Sequence, residues 1–358
     1  MKVVLVAGAT GQQGGSVIRA LAESEDYLCL ALTRNPKSSK AQKLKHLKNV
    51  KLVSGDLNDI QQLRTLFEDA KSAPTGAIWG VFVALEYPGL GANATGEKRQ
   101  GQNIATVAQE FRVQSYIYTS SCLLPSPSYK PPIPGTTRYS KVSIEEHIAS
   151  LDMPWTIIRP GFFMENFNTS VAGRFTGGAV RYCMSPEVKL QLVTVDDVGR
   201  FSRTVFDVRS FAIQSQDHDV ATPGLDAQER SQIFLRATGY HLPSVPSFII
   251  RSIYWLNIHV QNMVEDFVQS DDMRKMDPGG YDANTQEATN HMKLVSFEEW
   301  ARKFNSEKDI NEHGVTFWGL LMRTETQRLS IVLFLTVLLW HSTSLWELFQ
   351  NTNVIGIN

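Results

Sequence analysis

The residues best suited to bind a charged ligand lie near the start of the chain, in the run Gly8-Ala9-Thr10-Gly11-Gln12-Gln13-Gly14-Gly15. An apolar stretch at residues 3–7 precedes this run, and an apolar helical face with Val17, Ile18 and Leu21 follows it. The order predicts a buried parallel strand, a tight turn and a helix. Glycines let the backbone approach a pyrophosphate, and the next helix offers N–H groups and the positive end of its dipole. We therefore predict a dinucleotide site formed by Gly8, Thr10, Gly11, Gln12, Gln13 and Gly14. A tight turn without a ligand is the alternative.

A cation follows the second predicted strand, residues 27–33, about twenty residues beyond the turn. At this place a carboxylate normally holds the 2′-hydroxyl of the adenosine ribose, whereas the guanidinium of Arg34 would pair with a 2′-phosphate. We therefore expect NADP rather than NAD, with Lys37 as a further phosphate contact. The alternatives are a solvent-facing arginine at a strand end and a solvated helix face for the nearby lysines.

Two more predicted strands, residues 50–53 and 77–84, would bring groups to the same edge, because ligands bind at the carboxyl ends of parallel strands. Asp56 and Leu57 follow the first of these strands, where they could pack along the adenine. Asp56 could instead cap the helix that begins near residue 58. Ala84 ends the second strand, and the loop after it would cross the middle of the cofactor.

Strands alternate with helices six times up to about residue 160, and this alternation predicts an α/β fold with a doubly wound parallel sheet of Rossmann type. Beyond it we predict a strand at residues 190–195, with Asp196 and Asp197 capping the next helix. Asp226 and Glu229 form a predicted capping box for a helix at residues 227–238.

We divide the chain into three regions on this basis. Residues 1–160 would form the NADP-binding Rossmann core, and residues 161–305 would add later sheet elements and a smaller substrate lobe. The aromatic stretch at residues 248–267 would cover an apolar substrate pocket in that lobe, although core packing explains its aromatics equally well. Residues 306–358 form an extra tail. Prolines between residues 123 and 135 exclude regular structure there, which leaves a lid or substrate loop, or an ordinary surface loop.

Composition excludes several classes of function. The net charge is −1 and no basic stripe runs along the chain, which argues against direct nucleic-acid binding. Cys29, Cys122 and Cys183 are an odd number without the spacing of metal ligands, and the eight histidines also lack suitable partners. Cleavage near residue 15 would destroy the glycine turn, so we expect no signal peptide. We expect reduced thiols, no metal site and a cytoplasmic protein, with a nuclear protein as the alternative.

The tail contains a strongly apolar segment at residues 329–340. Twelve residues are fewer than the roughly twenty that a membrane span needs, but the uncharged window extends to residue 346. A tail anchor through residues 329–346 is therefore one alternative. A packed or partner-binding helix and a gene-model artefact are the others.

Seven short motifs follow one another in order along the chain: Gly8 to Gly15, Thr33-Arg34-Asn35-Pro36, Gly55-Asp56-Leu57, Tyr118-Thr119-Ser120-Ser121, Ser140-Lys141, Arg159-Pro160-Gly161-Phe162-Phe163-Met164-Glu165-Asn166-Phe167 and Val195-Asp196-Asp197-Val198-Gly199. Together they resemble the NmrA-like family of atypical short-chain dehydrogenases/reductases and, more distantly, the isoflavone-reductase-like enzymes, over about residues 1–305. The resemblance implies an NADP-binding Rossmann domain with a smaller carboxyl-terminal lobe. Family members are either NADPH-dependent reductases or non-catalytic sensors that bind a nicotinamide cofactor and then a regulatory protein.

The resemblance also suggests catalytic residues. Ordinary short-chain reductases place a tyrosine four residues before a lysine on one helix, so that both side chains face the nicotinamide. Here Thr137 occupies that position relative to Lys141, and Tyr139 would lie on a different face unless the helix starts after it. Isoflavone-reductase-like enzymes use the matching lysine for proton transfer. Lys141 would do the same if apolar surroundings favoured its neutral form, or it would only hold the nicotinamide ribose.

Several other residues complete the expected site. Ser120 could hydrogen bond a substrate carbonyl or the cofactor, or only end its strand. Pro160, Phe162 and Phe163 would line the nicotinamide, and Asn166 would position its amide group. We expect an NADPH-dependent reductase of a small, partly apolar substrate. The alternative is a redox sensor or transcriptional co-regulator that acts through a protein partner.

Overall fold

The computed structural model describes residues 1–86, 93–121, 134–207, 216–256, 258–277, 279, 285 and 289–304. Its strands are Lys2–Ala7 (β1), Tyr27–Thr33 (β2), Val50–Ser54 (β3), Ile78–Val83 (β4), Ser115–Thr119 (β5), Trp155–Pro160 (β6), Phe162–Phe163 (β7), Leu192–Val193 (β8) and Gln216–Val220 (β9). Seven of them form a parallel sheet in the order β3-β2-β1-β4-β5-β6-β9, and β7 pairs with β8 outside it. The predicted Rossmann-type α/β fold is confirmed.

Helices cover both faces of the sheet. They are Gln12–Ala22 (α1), Ser39–Lys45 (α2), Ile60–Ser72 (α3), Thr95–Glu110 (α4), Thr137–Ala149 (α5), Val171–Cys183 (α6), Val195–Asp207 (α7), Ala227–Thr238 (α8), Ser247–Leu256 (α9), Ile258–Met276 (α10) and Phe297–Arg302 (α11). Alternate residues of β1 point to opposite faces, so Val4 and Val6 pack with α1 and α7, whereas Val3 and Leu5 pack with α3, α4 and α5. Both faces of the central strands are therefore buried.

The seventh strand of the sheet was not predicted. Residues Gln216–Val220 are Gln-Asp-His-Asp-Val, which lack the apolar run of a central strand, but this strand lies at the sheet edge beside β6. The strand predicted at residues 190–195 is wrong in extent: only Leu192–Val193 is a strand, and it pairs with Phe162–Phe163 rather than with the main sheet.

Helix α7 packs against α1, the helix of the glycine turn. A Cβ at Gly199 would lie 2.2 Å from Ser16 Oγ, so the glycine permits the close approach of the two helices. Asp196 and Asp197 lie inside the first turn of α7, and the expectation that they cap it is wrong. The backbone N–H of Asp197 instead donates to Thr194 Oγ1 (3.1 Å). Their negative charges still suit the positive end of the helix dipole.

The carboxyl-terminal lobe has its own apolar cores. Phe167, Phe234 and Phe297 are buried together in one of them. The aromatic stretch at residues 248–267 falls in α9 and the first half of α10, and the predicted capping box at Asp226 and Glu229 is confirmed. Within the described residues, no helix is both long and apolar enough to cross a membrane. The apolar segment at 329–340, the window to 346 and the prolines at 125–132 lie outside those residues, as does Cys122.

Candidate functional site

The glycine turn is built for close backbone approach. Gly8 has φ +77°, and a Cβ there would lie 2.1 Å from the carbonyl oxygen of Ala84. A Cβ at Gly14 would lie 2.3 Å from the carbonyl oxygen of Gly8, so neither position accepts a side chain. Gly11 is the N-cap of α1 and is exposed, as is Gln12, while Thr10 is half-buried. The turn therefore presents the start of α1 with no side chain at its cap, which fits a pyrophosphate.

A side-chain hydrogen bond joins this turn to the end of β5. The hydroxyl of Thr119 donates to Gln13 Oε1 at 2.7 Å, and Thr119 is buried. The side chain of Gln13 therefore extends from the first turn of α1 to the carboxyl end of β5. The sequence analysis did not predict this contact, since the partners are 106 residues apart.

The basic side chains at the predicted adenosine end of the site are exposed to solvent. Arg34 Nη2 lies 2.9 Å from Glu86 Oε2, and about two thirds of each side chain is exposed (67% and 65%). Lys37 is also exposed. Asp56 Oδ1 accepts from the backbone N–H of Asn58 at 2.9 Å. The alternative in which Asp56 caps the next helix is wrong, because Asp59 is the N-cap of α3 and accepts from two of its N–H groups.

Leu57 and Ala84, two other predicted cofactor contacts, form hydrogen bonds through their backbone atoms. The carbonyl oxygen of Leu57 accepts from Asn103 Nδ2 at 2.9 Å, which ties the loop after β3 to α4. The backbone N–H of Ala84 donates to the carbonyl oxygen of Ala7 at 3.2 Å, which continues the β1–β4 ladder into the turn. Both residues lie at the carboxyl edge of the sheet, as expected.

Lys141 is held in a mostly buried ion pair. Its Nζ lies 3.1 Å from Glu97 Oε1; 17% of the lysine side chain and 2% of the glutamate side chain are exposed. Nζ also lies 5.9 Å from the ring centre of Tyr118. Glu97 belongs to the first turn of α4 and was not predicted as a site residue. A signal was present in the sequence, because Glu97 shares a helical stripe with the buried Gly101, Ile104 and Ala108.

The structure separates Tyr139 from Lys141. Helix α5 begins at Thr137 with Thr136 as its N-cap, so Tyr139 lies inside the first turn rather than before the helix. The ring of Tyr139 lies 4.9 Å from Lys98 Nζ. Helix residues that are two positions apart point to different faces, so Tyr139 contacts Lys98 whereas Lys141 contacts Glu97.

Ser120 stands at the end of β5 and is buried. Its backbone N–H donates to the carbonyl oxygen of Ile158 at 2.7 Å, but its Oγ has no hydrogen-bond partner among the described residues. The same holds for the Tyr118 hydroxyl and for Glu97 Oε2. Buried polar atoms are normally paired, so the unpaired ones at the end of β5 and on Glu97, the partner of Lys141, are suited to a polar ligand or water.

The segment after β6 is fixed in place by the small β7–β8 sheet. A Cβ at Gly161, next to Pro160, would lie 2.8 Å from the carbonyl oxygen of Gln191. Phe162 packs against Phe167 and Phe163 packs against the core shared with α1. Asn166 is half-buried in the short 3-10 helix Met164–Phe167.

Glu165 in this 3-10 helix was named only within a motif. Its Oε1 accepts from the backbone N–H of Val195 at 3.0 Å, and its Oε2 is buried without a hydrogen-bond partner in the described chain. Burial raises the pKa of Glu165 to about 7. No group of His, Cys, Asp and Glu residues suited to a metal ion occurs in the described part of the chain.

Comparison with known proteins gives relatives over most of this fold. An NmrA-like family domain-containing protein of Dictyostelium discoideum is 26% identical over 230 residues, which cover 57% of this chain and 67% of that protein. An NmrA-like family domain-containing oxidoreductase of Aspergillus japonicus is 28% identical over 192 residues, which cover 50% of this chain and 52% of that protein. The chain thus spans about half the length of the second relative.

Among solved structures, NmrA, a negative transcriptional regulator, in complex with NAD is similar with a TM-score of 0.64 and 20% identity. The similarity covers 86% of this chain and 96% of that one. A structure of the same regulator with NADP gives a TM-score of 0.64 and 21% identity. At this identity the likeness establishes a common fold. The family match itself extends over residues 1–301, and the chain therefore belongs to the NmrA-like family.

Proposed function

We propose that the protein binds a nicotinamide dinucleotide at the glycine turn, with NADP preferred over NAD, and reduces a small, partly apolar substrate. The observation that carries the proposal is Lys141, which lies in a mostly buried ion pair beside Tyr118 of β5. The end of this strand also carries the unpaired hydroxyl of Ser120 and contacts the glycine turn through Thr119. A bound dihydronicotinamide would supply a hydride to the substrate.

The chain's own residues have distinct parts in this proposal. Gly8, Gly11 and Gly14 keep side chains away from the pyrophosphate. Ser120 hydrogen bonds the substrate oxygen, and Lys141 handles the proton. The solved relative with NAD and NADP, and the relative described as an oxidoreductase, support a cofactor-dependent activity of this kind.

The preference for NADP rests on Arg34. Its exposed guanidinium can turn from Glu86 to a 2′-phosphate at small cost, because an exposed ion pair contributes only about 0–1 kcal/mol. Titration of NADPH and NADH fluorescence should give tighter binding of NADPH, and Arg34→Glu should remove or reverse the difference. Arg236→Glu, a matched change at an exposed position on α8, should leave both affinities unchanged. Equal affinities in the wild type would refute this role of Arg34.

Turnover is tested by following NADPH oxidation against quinones, enones and aldehydes. Lys141→Ala should abolish or strongly reduce turnover while NADPH still binds. Full turnover in Lys141→Ala would refute the lysine mechanism.

A specific observation favours a second function, that of a redox sensor without turnover. The tyrosine of ordinary reductases is missing at its usual position, and Tyr139 lies against Lys98 instead. A solved relative is a negative transcriptional regulator. If no acceptor oxidises NADPH while NADPH binding alters capture of a protein partner, the sensor is the better description.

A further inference from the structure

Three contacts hold α4 and α5 together around Lys141. A Cβ at Gly101 would lie 2.6 Å from Ile144 Cδ1, so the glycine permits a close approach of the two helices. The buried hydroxyl of Ser140 donates to the carbonyl oxygen of Ala94 at 2.8 Å, just before α4 begins. Between these two contacts lies the ion pair of Glu97 with Lys141. The helix backbones therefore determine that the carboxylate and the ammonium meet.

Other ionisable groups near the pair are already engaged or neutral. Both carboxylate oxygens of Glu145 accept from Arg159 on β6, which lies at 3.3 and 2.6 Å from them. The pKa of the Tyr118 hydroxyl is raised well above its usual value, by burial first and then by Glu97 and Glu145, so this group stays protonated. Lys98 lies over the ring of Tyr139. Glu97 is therefore the carboxylate that balances the charge of Lys141.

We propose that Glu97 is a positioning residue that holds Lys141 as an ammonium, so that the site acts on substrates whose oxygen becomes negatively charged when a hydride adds to them. A buried amine with no anion beside it would favour its neutral form, whereas an adjacent carboxylate favours the charged form. This inference rests on the proposed reductase function and specifies its substrate class as ketones, aldehydes, enones or quinones.

The reaction balances as follows for a carbonyl. The hydride would come from NADPH, which would become NADP+. It adds to the carbonyl carbon, and the electron pair of the C=O π bond moves to oxygen. An N–H bond of Lys141 then breaks as the O–H bond of the alcohol forms, which leaves a neutral amine beside the Glu97 carboxylate. Water returns the proton to the lysine rather than to the glutamate, because an amine is far more basic than a carboxylate. A cationic acceptor would become neutral on hydride addition and would need no proton.

The protonation state can be measured without any cofactor or substrate. Full-length protein is treated with a small amine-acylating reagent at a series of pH values, and acylation of Lys141 is quantified by mass spectrometry. Only the neutral amine reacts. In Glu97→Gln, acylation of Lys141 at neutral pH should be at least tenfold faster than in the wild type, because the stabilising anion is lost while burial remains.

Two variants make the result interpretable. Glu97→Asp keeps the charge, and its rate of Lys141 acylation should be closer to that of the wild type than the rate in Glu97→Gln. Glu146→Gln changes an exposed glutamate of α5, the helix that carries Lys141, and should have no effect. Identical labelling curves for the wild type and Glu97→Gln, with both proteins folded by circular dichroism, would overturn the role of Glu97. If Glu97→Gln does not fold, the comparison of Glu97→Asp with Glu97→Ser decides the question in the same way.

The substrate class is tested with NADPH, a quinone and a cationic triarylmethane dye. Reduction of the quinone in preference to the dye, with kcat for the quinone reduced at least tenfold in Glu97→Gln and KM little changed, would support the proposal. Preferential reduction of the dye would overturn it. If neither these acceptors nor the enones and aldehydes of the turnover panel are reduced, the proposed reductase function fails, whereas the labelling experiment still decides whether Glu97 controls Lys141.

Discussion

Glu165 provides a quantitative test of how the short 3-10 helix Met164–Phe167 is packed. Its carboxyl accepts a hydrogen bond from the first N–H of α7, which favours the ionised form, but burial outweighs this bond and nearby Asp196 and Asp197 add to the effect of burial. The pKa of Glu165 consequently rises from the ordinary 4.5 to about 7. We therefore expect Glu165 to destabilise the folded protein when it ionises.

The sign and size follow from linkage. Because the folded pKa is raised, the favourable contribution of protonated Glu165 is complete below about pH 4.5 and is lost as the pH rises through about 7. A displacement of this size corresponds to a loss on the order of 3 kcal/mol, since one pKa unit is about 1.4 kcal/mol. Glu165→Gln keeps an oxygen for the Val195 N–H but cannot ionise. The variant should therefore gain stability relative to the wild type as the pH rises from 5 to 8.

The assay is urea unfolding followed by tryptophan fluorescence at several pH values, with the difference in unfolding free energy between variant and wild type plotted against pH. Groups shared by both proteins cancel in this difference. Glu146→Gln, at an exposed position, should give a difference that does not vary with pH. A pH-independent difference for Glu165→Gln, or one that favours the wild type at pH 8, would refute the reasoning.

Two further changes test the cofactor site. Gly14→Ala would place a Cβ 2.3 Å from the carbonyl oxygen of Gly8, so we expect a loss of about 1–3 kcal/mol in unfolding free energy and at least tenfold weaker NADPH binding. Gly15→Ala is its matched control, because the added Cβ would lie 3.5 Å from its nearest neighbours; unchanged binding in both variants would contradict the close-approach argument. Glu86→Gln should release Arg34 and tighten NADPH binding by up to about fivefold, the value of an exposed ion pair, with NADH unaffected. An equal change for both cofactors in fluorescence titration would show that Arg34 and Glu86 do not read the 2′-phosphate.

The sequence predicted those elements whose residues carry a local signal. The buried strands before residue 160 are apolar runs. The glycine motif is equally local, because a Cβ at Gly8 or Gly14 would collide with a backbone carbonyl oxygen. The strand Gln216–Val220 has no such signal, because an edge strand beside β6 needs few apolar residues. Only its position in the folded sheet makes it a strand.

The sequence likewise predicted those site residues that belong to a local motif and missed those that depend on long-range contacts. Lys141 and Ser120 could be singled out from motifs, whereas the partner of Lys141 depends on how closely α4 and α5 pack. Glu97 and Lys141 are distant in the chain, and the small residue at Gly101 that permits their contact has no obvious meaning until Ile144 is seen against it. Long-range pairs of this kind are set by helix packing, which single-residue patterns do not record.

The packing of α7 on α1 has a consequence for how the chain can be divided. Ser16 and Arg19, on the helix that would bind the pyrophosphate, both donate to Asp196, nearly 180 residues further along the chain. A fragment ending at residue 160 would leave the apolar side of α1 uncovered and would lack the last strand of the sheet. Affinity for the cofactor should therefore respond to substitutions in α7, although that helix follows the predicted nucleotide-binding region in sequence. The proposed nucleotide-binding unit is therefore continuous in space but is assembled from segments that lie far apart in the sequence.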